Sequence, residues 1–453
     1  MNNKLAVVIL AAGEGTRMKS AYPKVLHSLM GRPLLRWVLS SVYALAPARV
    51  CVVVGHRAQE VRQALKGDAV MFIEQKKQSG SGDALIRAAG ALKSFSGDIL
   101  VLCGDTPLIS AATLKNLYAR HRRQNNAATI LSSRMNNPFG YGRICRLESG
   151  AVSGIVEEKD ADDAQKKINE INSGIYCFTS PLIWSALKKI RPENKKREYY
   201  LTDAVEILNA QGARVDAACI PSGDEIMGVN TRLDLARAEN VARQATLEKL
   251  MLSGVTIINP ATVSVSPDAK IGRDTVIYPF TIIEGDTVTG ENCAIGPGSF
   301  IRNSVIGDSV EVRSSYIYDS TVAAGAKIGP FSHLRPGTKL GEAVKVGNFS
   351  EVKKSVVGAG SKVNHLSYVG DSRIGKGVNI GAGTITCNYD GINKNITVID
   401  DNVFVGSNVN LVAPVRVGRG AVLGAGSTIT DDVPPAMLAI ARARQVNKTR
   451  KHK

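Results

Sequence analysis

Two groups of residues in this 453-residue sequence have the types and spacing to do chemistry. The first opens near the N-terminus as Leu10-Ala-Ala-Gly-Glu-Gly-Thr-Arg17, with Pro23-Lys24 shortly after it. Small residues in such a turn let backbone N–H groups approach phosphate oxygens, and Arg17 and Lys24 add the positive charge that a triphosphate requires. Gln75 and the turn Gly80-Ser81-Gly82 offer an amide and backbone groups that can match the edge of a uracil. Leu102-Cys103-Gly104-Asp105 puts a carboxylate at the end of an apolar run, where it can share a hard cation with phosphates. Gly140-Tyr141-Gly142-Arg143, Glu157, Glu170-Ile171-Asn172-Ser173-Gly174 and Gly228-Val229-Asn230 repeat a pattern of polar groups beside glycines, as a sugar site needs. The second group lies between Phe331 and Lys394, where His333, Arg335, Lys353, His365, Tyr368, Asn379, Asn388, Tyr389 and Lys394 load an otherwise regular stretch.

The elements that must position the first group alternate. Leu5 to Leu10 reads as a buried strand, and apolar strands recur at Val50–Val54 and Ile99–Leu102 with helical stretches at Leu34–Leu45 and Ala58–Leu65. Strands alternating with helices imply a mainly parallel sheet that binds ligands at the carboxyl ends of its strands. A dinucleotide fingerprint is excluded, because its third glycine would fall at Met18. A Walker-type phosphate loop is excluded too, since no Gly-Lys-Ser/Thr follows at the right spacing. Thr231 to Ser253 then reads as one long helix, with Thr231 and Asp234 approximating a capping box and Gly254 ending it. At 1.5 Å per residue it spans roughly 33 Å.

The second group sits in a repeat. Ile399, Val405, Leu411, Val417, Leu423 and Ile429 stand six residues apart, and the same beat appears at Ile271, Ile277, Ile283, Ile295 and Ile301 and again at Ile374 and Ile380. Six is the period of neither a helix nor an alternating strand, so each unit buries its apolar residue against stacked neighbours, as in a solenoid. The segment from Thr386 to Thr397 breaks the beat with an extra loop. Loops and polar residues added to a solenoid mark its working face, against the plainer role of holding subunits together. Pro434-Pro435 should stop the repeat.

Composition bounds the rest. The length suits two or three domains. The net charge of +17 is concentrated in two short runs, Lys188 to Arg197 and Arg442 to Lys453. With no RNA-binding signature or aromatic stacking platform beside them, phosphate-rich small molecules fit better than nucleic acid. Seven scattered cysteines without a C-x-x-C pair argue for reduced thiols in a cytoplasmic protein. The apolar start is too short for a signal peptide, and no run of about 18 apolar residues offers a membrane span.

The opening motif with Pro23-Lys24 behind it resembles that of sugar-nucleotide pyrophosphorylases, and the hexads resemble the hexapeptide-repeat acyltransferases. Taken together, residues 1 to 445 resemble the bacterial bifunctional N-acetylglucosamine-1-phosphate uridyltransferase/glucosamine-1-phosphate acetyltransferases. The resemblance implies an α/β Rossmann-like nucleotidyltransferase domain (1–230), a linker helix (231–254), a left-handed parallel β-helix acetyltransferase domain (255–437) and a basic tail (438–453). It implies that Leu10, Ala11, Ala12, Gly13, Arg17, Lys24, Gln75, Gly80, Ser81, Cys103, Gly104, Asp105, Gly142, Glu157, Asn172 and Asn230 line a UTP and UDP-N-acetylglucosamine site. Asp105 and Asn230 would hold Mg²⁺. It also implies that His365 is the general base of acetyl transfer, oriented by Glu351. Arg335, Lys353, Tyr368, Asn379 and Lys394 would hold glucosamine 1-phosphate, and Ala382, Asn388, Tyr389, Ser407, Ala425 and Arg442 would contact acetyl-CoA. The active form would be a homotrimer. Two positions depart from the family pattern: Ser81 stands where Thr is common, and Cys103 stands where Tyr is common. A single-function pyrophosphorylase with a regulatory or oligomerising β-helix is the alternative.

Overall fold

The computed structural model describes residues 4–449 of the chain. These form two compact units that divide between Ala242 and Arg243, inside the helix Arg232–Leu252.

The first unit is built on a sheet whose main strands run in the order Val215–Ile220, Ala128–Arg134, Glu170–Thr179, Asp98–Cys103, Leu5–Ala11, Arg49–Val54 and Met71–Glu74. Glu170–Thr179 runs antiparallel to both neighbours, and the other neighbouring pairs are parallel. The unbroken apolar run at Leu5–Ala11 follows from its central place. Ala6 and Val8 face one core, while Leu5, Val7, Ile9 and Ala11 face the other, so neither side can be polar. The carboxyl ends of Leu5–Ala11 and Asp98–Cys103 lie side by side, with Leu10 opposite Cys103. The motif turns therefore leave from adjacent points.

The helix Arg232–Leu252 opens with the expected reciprocal cap. The Asp234 N–H donates to Thr231 Oγ1 (3.1 Å), and the Thr231 N–H donates to Asp234 Oδ2 (2.9 Å). Ala238 and Ala242 pack with Leu29, Leu34 and Val229 of the first unit. Leu247 and Leu250 belong to the core of the second.

The second unit winds through three parallel sheets of 11, 10 and 9 short strands. This is the prism of a left-handed parallel β-helix. On the first sheet Ile277, Ile295, Val312, Ile328, Val346, Val363, Ile380, Val405 and Leu423 stack rung upon rung, all buried. One inward residue per face and three faces per coil account for the beat of six. The beat lapses in the middle of the chain because coils there fall short of eighteen residues, as the pairings Ala294–Glu311 and Glu311–Lys327 show. The stack itself continues. The extra loop is confined to 388–396, between the strands Ile385–Cys387 and Thr397–Ile399.

The end of the repeat differs from expectation. Leu438–Ala439 pairs with Val422–Leu423, and the Thr428 N–H donates to the Ala441 carbonyl (3.0 Å), so the last coil runs past 437. Pro434 and Pro435 occupy a corner, where no ladder donor is needed, and left-handed Ala436 (φ 56°) turns the chain back onto the face. The final residues of the basic tail, 450–453, lie outside the described residues.

Candidate active sites

The glycine turn after Leu5–Ala11 is shaped by contact as well as by freedom. Gly15 adopts φ 65°, and a Cβ there would come within 2.6 Å of Lys24 Cβ. Only glycine lets Lys24 pack against the turn. Gly13, by contrast, has no atom within 4 Å of where its Cβ would be, and it lines a cavity of about 320 Å³. Leu10, Ala11, Ala12, Lys24, Gln75, Gly80, Ser81, Cys103 and Asp105 line the same cavity.

At its mouth four side chains converge. Lys24 Nζ donates to Asp105 Oδ2 and, at 3.1 Å, to Asn230 Oδ1; Arg17 Nη2 reaches the same Asn230 oxygen at 2.8 Å. The Val229 N–H donates to the Asp105 carbonyl (2.8 Å), tying together the two loops that carry Asp105 and Asn230. Gly104 lets the Asp105 loop lie against the end of Leu5–Ala11, since a Cβ there would stand 3.2 Å from Ala11 Cβ. The donor set suits a hard cation. Two oxygens already meet on a cationic ammonium, and among the described residues no cluster of three His, Cys, Asp or Glu is placed to hold a metal alone. Mg²⁺ typically takes one or two protein oxygens and completes its shell with water and phosphate.

Beyond Cys103 the surroundings change. Burial pushes the Cys103 thiol up to about 12, with Asp105 adding to the shift. Its Sγ is 3.6 Å from the Gly174 carbonyl. Asn172 donates to the Tyr176 hydroxyl (2.7 Å) and packs against Gly142. Burial also raises the Glu157 carboxyl, opposed chiefly by Lys196. Glu157 lines a separate, larger cavity of about 680 Å³ with Asp160, Thr202, Asp203 and Glu206.

In the solenoid the candidate residues gather along the edge between the first and second sheets. His365 ends the first-sheet strand Lys362–His365, left-handed Leu366 (φ 49°) turns the corner, and Tyr368 opens the second-sheet strand Tyr368–Gly370. Ala382, Ser407 and Ala425 occupy the equivalent corner position in the following coils. Hydrogen bonds join this column: Gly383 N–H to His365 O (3.2 Å), Asn408 N–H to Ala382 O (2.7 Å) and Gly426 N–H to Ser407 O (2.8 Å). Arg442 caps it by donating to Ala425 O (2.8 Å). A row of small side chains leading to an exposed imidazole makes a track for a long, thin ligand.

On the second sheet His333, Glu351 and Tyr368 occupy successive rungs. The Tyr368 hydroxyl fills the space where a Cβ on Gly370 would be. Lys394, on the inserted loop, lies beside Lys353 and pushes its pKa down. With Arg335 also close enough to lower the Lys353 pKa, the three side chains gather positive charge at this point, which favours an anion.

Comparison with known proteins decides the family. Residues 7–168 match the MobA-like NTP transferase domain, residues 256–348 the GMPPB C-terminal domain, and residues 396–431 the bacterial transferase hexapeptide (six repeats). Over nearly its whole length the chain is 50% identical to the bifunctional protein GlmU of Syntrophomonas wolfei, covering 99% of this chain and 100% of that one. It is also 50% identical to the GlmU proteins of Heliobacterium modesticaldum (100% and 99% covered) and of a Geobacillus species (98% and 97%). This chain belongs to the GlmU family.

Within this GlmU-family chain, two expectations need correcting. Glu351 does not orient His365; its carboxylate takes Arg335 Nη1 (2.9 Å) and lies 4.0 Å from His333 Nδ1. His365 is on the other sheet, opposite Asn348. The Asn388 side chain is buried and donates to Asp371 Oδ2 (2.6 Å), so it anchors the inserted loop instead of facing a ligand. Tyr389 is 60% exposed, with its hydroxyl donating to Gly391 O (2.6 Å). Gln78 and Glu198 line the glycine-turn cavity although no motif pointed to them. The segment around Tyr199 also closes on the turn Gly80-Ser81-Gly82. The Gly82 N–H donates to Tyr199 O (2.8 Å), and a side chain on Gly80 would collide with that carbonyl.

Cys103 can be tested directly. Since its side chain faces the cavity, Cys103→Tyr should keep uridyl transfer within about tenfold, the scale of one gained or lost hydrogen bond. Steady-state rates with varied sugar phosphate check this. A far larger loss would show that the pocket beside Gly174 has closed around the smaller side chain.

Proposed function

We infer that this chain is a bifunctional enzyme of UDP-N-acetylglucosamine synthesis. It acetylates glucosamine 1-phosphate with acetyl-CoA, then transfers UMP from UTP to N-acetylglucosamine 1-phosphate and releases pyrophosphate. The observation that carries the reading is the meeting of Lys24, Arg17, Asp105 and Asn230 at the mouth of the glycine-turn cavity, on a chain that also holds the His365 column.

In acetyl transfer, the amine of the sugar attacks the thioester carbonyl, the carbon–sulfur bond breaks, and the thiol of coenzyme A leaves. His365 takes the proton from the attacking amine, at Nδ1 or Nε2 according to its tautomer. Lys353, Lys394 and Arg335 hold the sugar phosphate, with Tyr368 and Asn379 fixing the sugar. Ala382, Ser407, Ala425 and Arg442 flank the acetyl-CoA chain. In uridyl transfer, a phosphate oxygen of the sugar phosphate attacks the α-phosphorus in line, and the bond to pyrophosphate breaks. Asp105 and Asn230 hold Mg²⁺, which supplies charge neutralisation at the phosphates when bound. Lys24 and Arg17 offset the charge on the leaving pyrophosphate, and Gly142, Glu157 and Asn172 bind the acetylated sugar. This step needs no protein nucleophile.

The His365 column lies on an open face, with His365, Ser407, Ala425 and Lys394 all exposed. An acetyl site there gains walls when copies of the solenoid pack side by side, and we take the active form to be a homotrimer. The free cysteines fit a reducing cytoplasm, and no helix among the described residues is long and apolar enough to cross a membrane. A fragment of residues 1–253 carries the whole proposed uridyl site. It should be monomeric and still make UDP-N-acetylglucosamine from UTP and N-acetylglucosamine 1-phosphate. The full chain should scatter light as a trimer and lose acetylation on dilution. A full-length monomer with undiminished acetyl transfer would overturn the shared site, and an inactive but folded fragment would overturn the uridyl assignment.

A further inference from the structure

We propose that Asp83 is a positioning residue that sets base specificity, by fixing which edge of the Gln75 amide faces the nucleotide cavity. The inference rests on the reading that this cavity binds UTP. Gln75 is only 3% exposed and lines the cavity beside Gly80 and Ser81. Its backbone is held by its N–H, which donates to the Val54 carbonyl (2.8 Å). Its Nε2 donates to the Gly80 carbonyl (3.1 Å) and to Asp83 Oδ2 (2.8 Å). A side-chain amide has two N–H donors, and both are taken. Turning the amide over would set Oε1 against two acceptors, a backbone carbonyl and a carboxylate. Asp83 therefore forces Oε1, the acceptor, toward the cavity.

Asp83 cannot readily swing away. It lies in the first turn of the helix Ser81–Leu92, is 6% exposed, and its Oδ1 takes Arg87 Nη2 (2.9 Å) and Nε (3.1 Å). An acceptor presented to the base selects uracil, whose N3 carries a hydrogen. Cytosine has a lone pair at N3 and would meet Oε1 acceptor to acceptor. Thymine shares the N3–H of uracil, so this device does not separate the two.

Asp83→Asn tests the idea. An asparagine amide can donate as well as accept, so Gln75 becomes able to turn over. The UTP-to-CTP ratio of kcat/KM should fall by about ten- to a hundred-fold, the usual worth of a buried mismatched polar group. The fall should come from both slower UTP and faster CTP, while the UTP-to-dTTP ratio stays as in wild type. Arg87→Ala, which loosens Asp83 but leaves its carboxylate to take the Gln75 amide, should lower the UTP-to-CTP ratio less than Asp83→Asn does. Acetyl transfer by the same preparations reports whether the variants are folded. If Asp83→Asn folds poorly, Asp83→Ser and calorimetric titration with UTP and CTP give the same comparison without turnover. A folded variant that keeps the wild-type UTP-to-CTP ratio overturns the role of Asp83. A wild-type chain that does not favour UTP overturns the nucleotide assignment itself.

Discussion

Asp105→Ala should abolish uridyl transfer and leave acetyl transfer near its wild-type rate. The carboxylate is one of two protein oxygens that converge on the Lys24 ammonium, and the other, Asn230 Oδ1, is uncharged. Without Asp105 the site keeps Lys24 and Arg17 but loses the carboxylate that meets the Lys24 ammonium. A divalent cation then keeps only the uncharged Asn230 Oδ1 as its anchor at that point. Removing a single transition-state hydrogen-bond donor typically costs 10²–10³ in kcat, and loss of the cation anchor should exceed that. A second readout is Mn²⁺ bound in the presence of UTP, followed by proton relaxation of water, which should fall to background. Acetylation is spared because the His365 column belongs to the other compact unit. Loss of both activities in a folded variant would sink the two-site assignment.

His365→Ala should slow acetylation by roughly 10²–10⁴-fold, the usual worth of a positioned general base, and leave uridyl transfer unchanged. A second imidazole on the solenoid supplies the rival. Burial lowers the pKa of His333, and it lies beside Glu351 in a rung of the same face as Tyr368. His333 is half-buried at the foot of an aromatic ladder with Tyr316 and Tyr318, whereas His365 is exposed at the corner where the small-residue column ends. His333→Ala should therefore cost acetylation much less than His365→Ala. Equal losses in the two variants, or near-normal acetylation in His365→Ala, would move the base away from His365.

By itself the sequence determined whatever depends on residue type and local spacing. The run Leu5–Leu10, apolar at every position, belongs to a strand buried on both faces, and no other environment suits it. Gly13, Gly15 and Lys24 specify a phosphate-approaching turn, because each acts within a few positions of its neighbours. A beat of six implies a solenoid with one inward residue per short strand, since each unit buries that residue against its stacked neighbours; the three faces followed only from the resemblance to hexapeptide-repeat acyltransferases. The Thr231–Asp234 cap was legible for the same reason: both partners lie in one helical turn.

The tertiary structure decided the choices made between residues far apart in the chain. Glu351 stands eighteen and seventeen positions from its rung partners His333 and Tyr368, and nothing local says which neighbour its carboxylate takes. Only the folded coil gives it Arg335 and leaves His365 across the edge. Coil length is likewise set by corner geometry, where left-handed residues such as Ser314 and Asp319 shorten a turn without displacing the inward stack. That is why the beat fades while the core persists. Pro434-Pro435 marks a stop in any local reading, yet the free edge of Val422–Leu423 still recruits Leu438–Ala439, because an unpaired rung of N–H and C=O groups is costly to leave open. The side-chain amide of Gln75 shows the same division. Its type was legible as a base reader, but which of its two edges faces the cavity depends on Asp83 and Gly80, and only folding brings those acceptors against it.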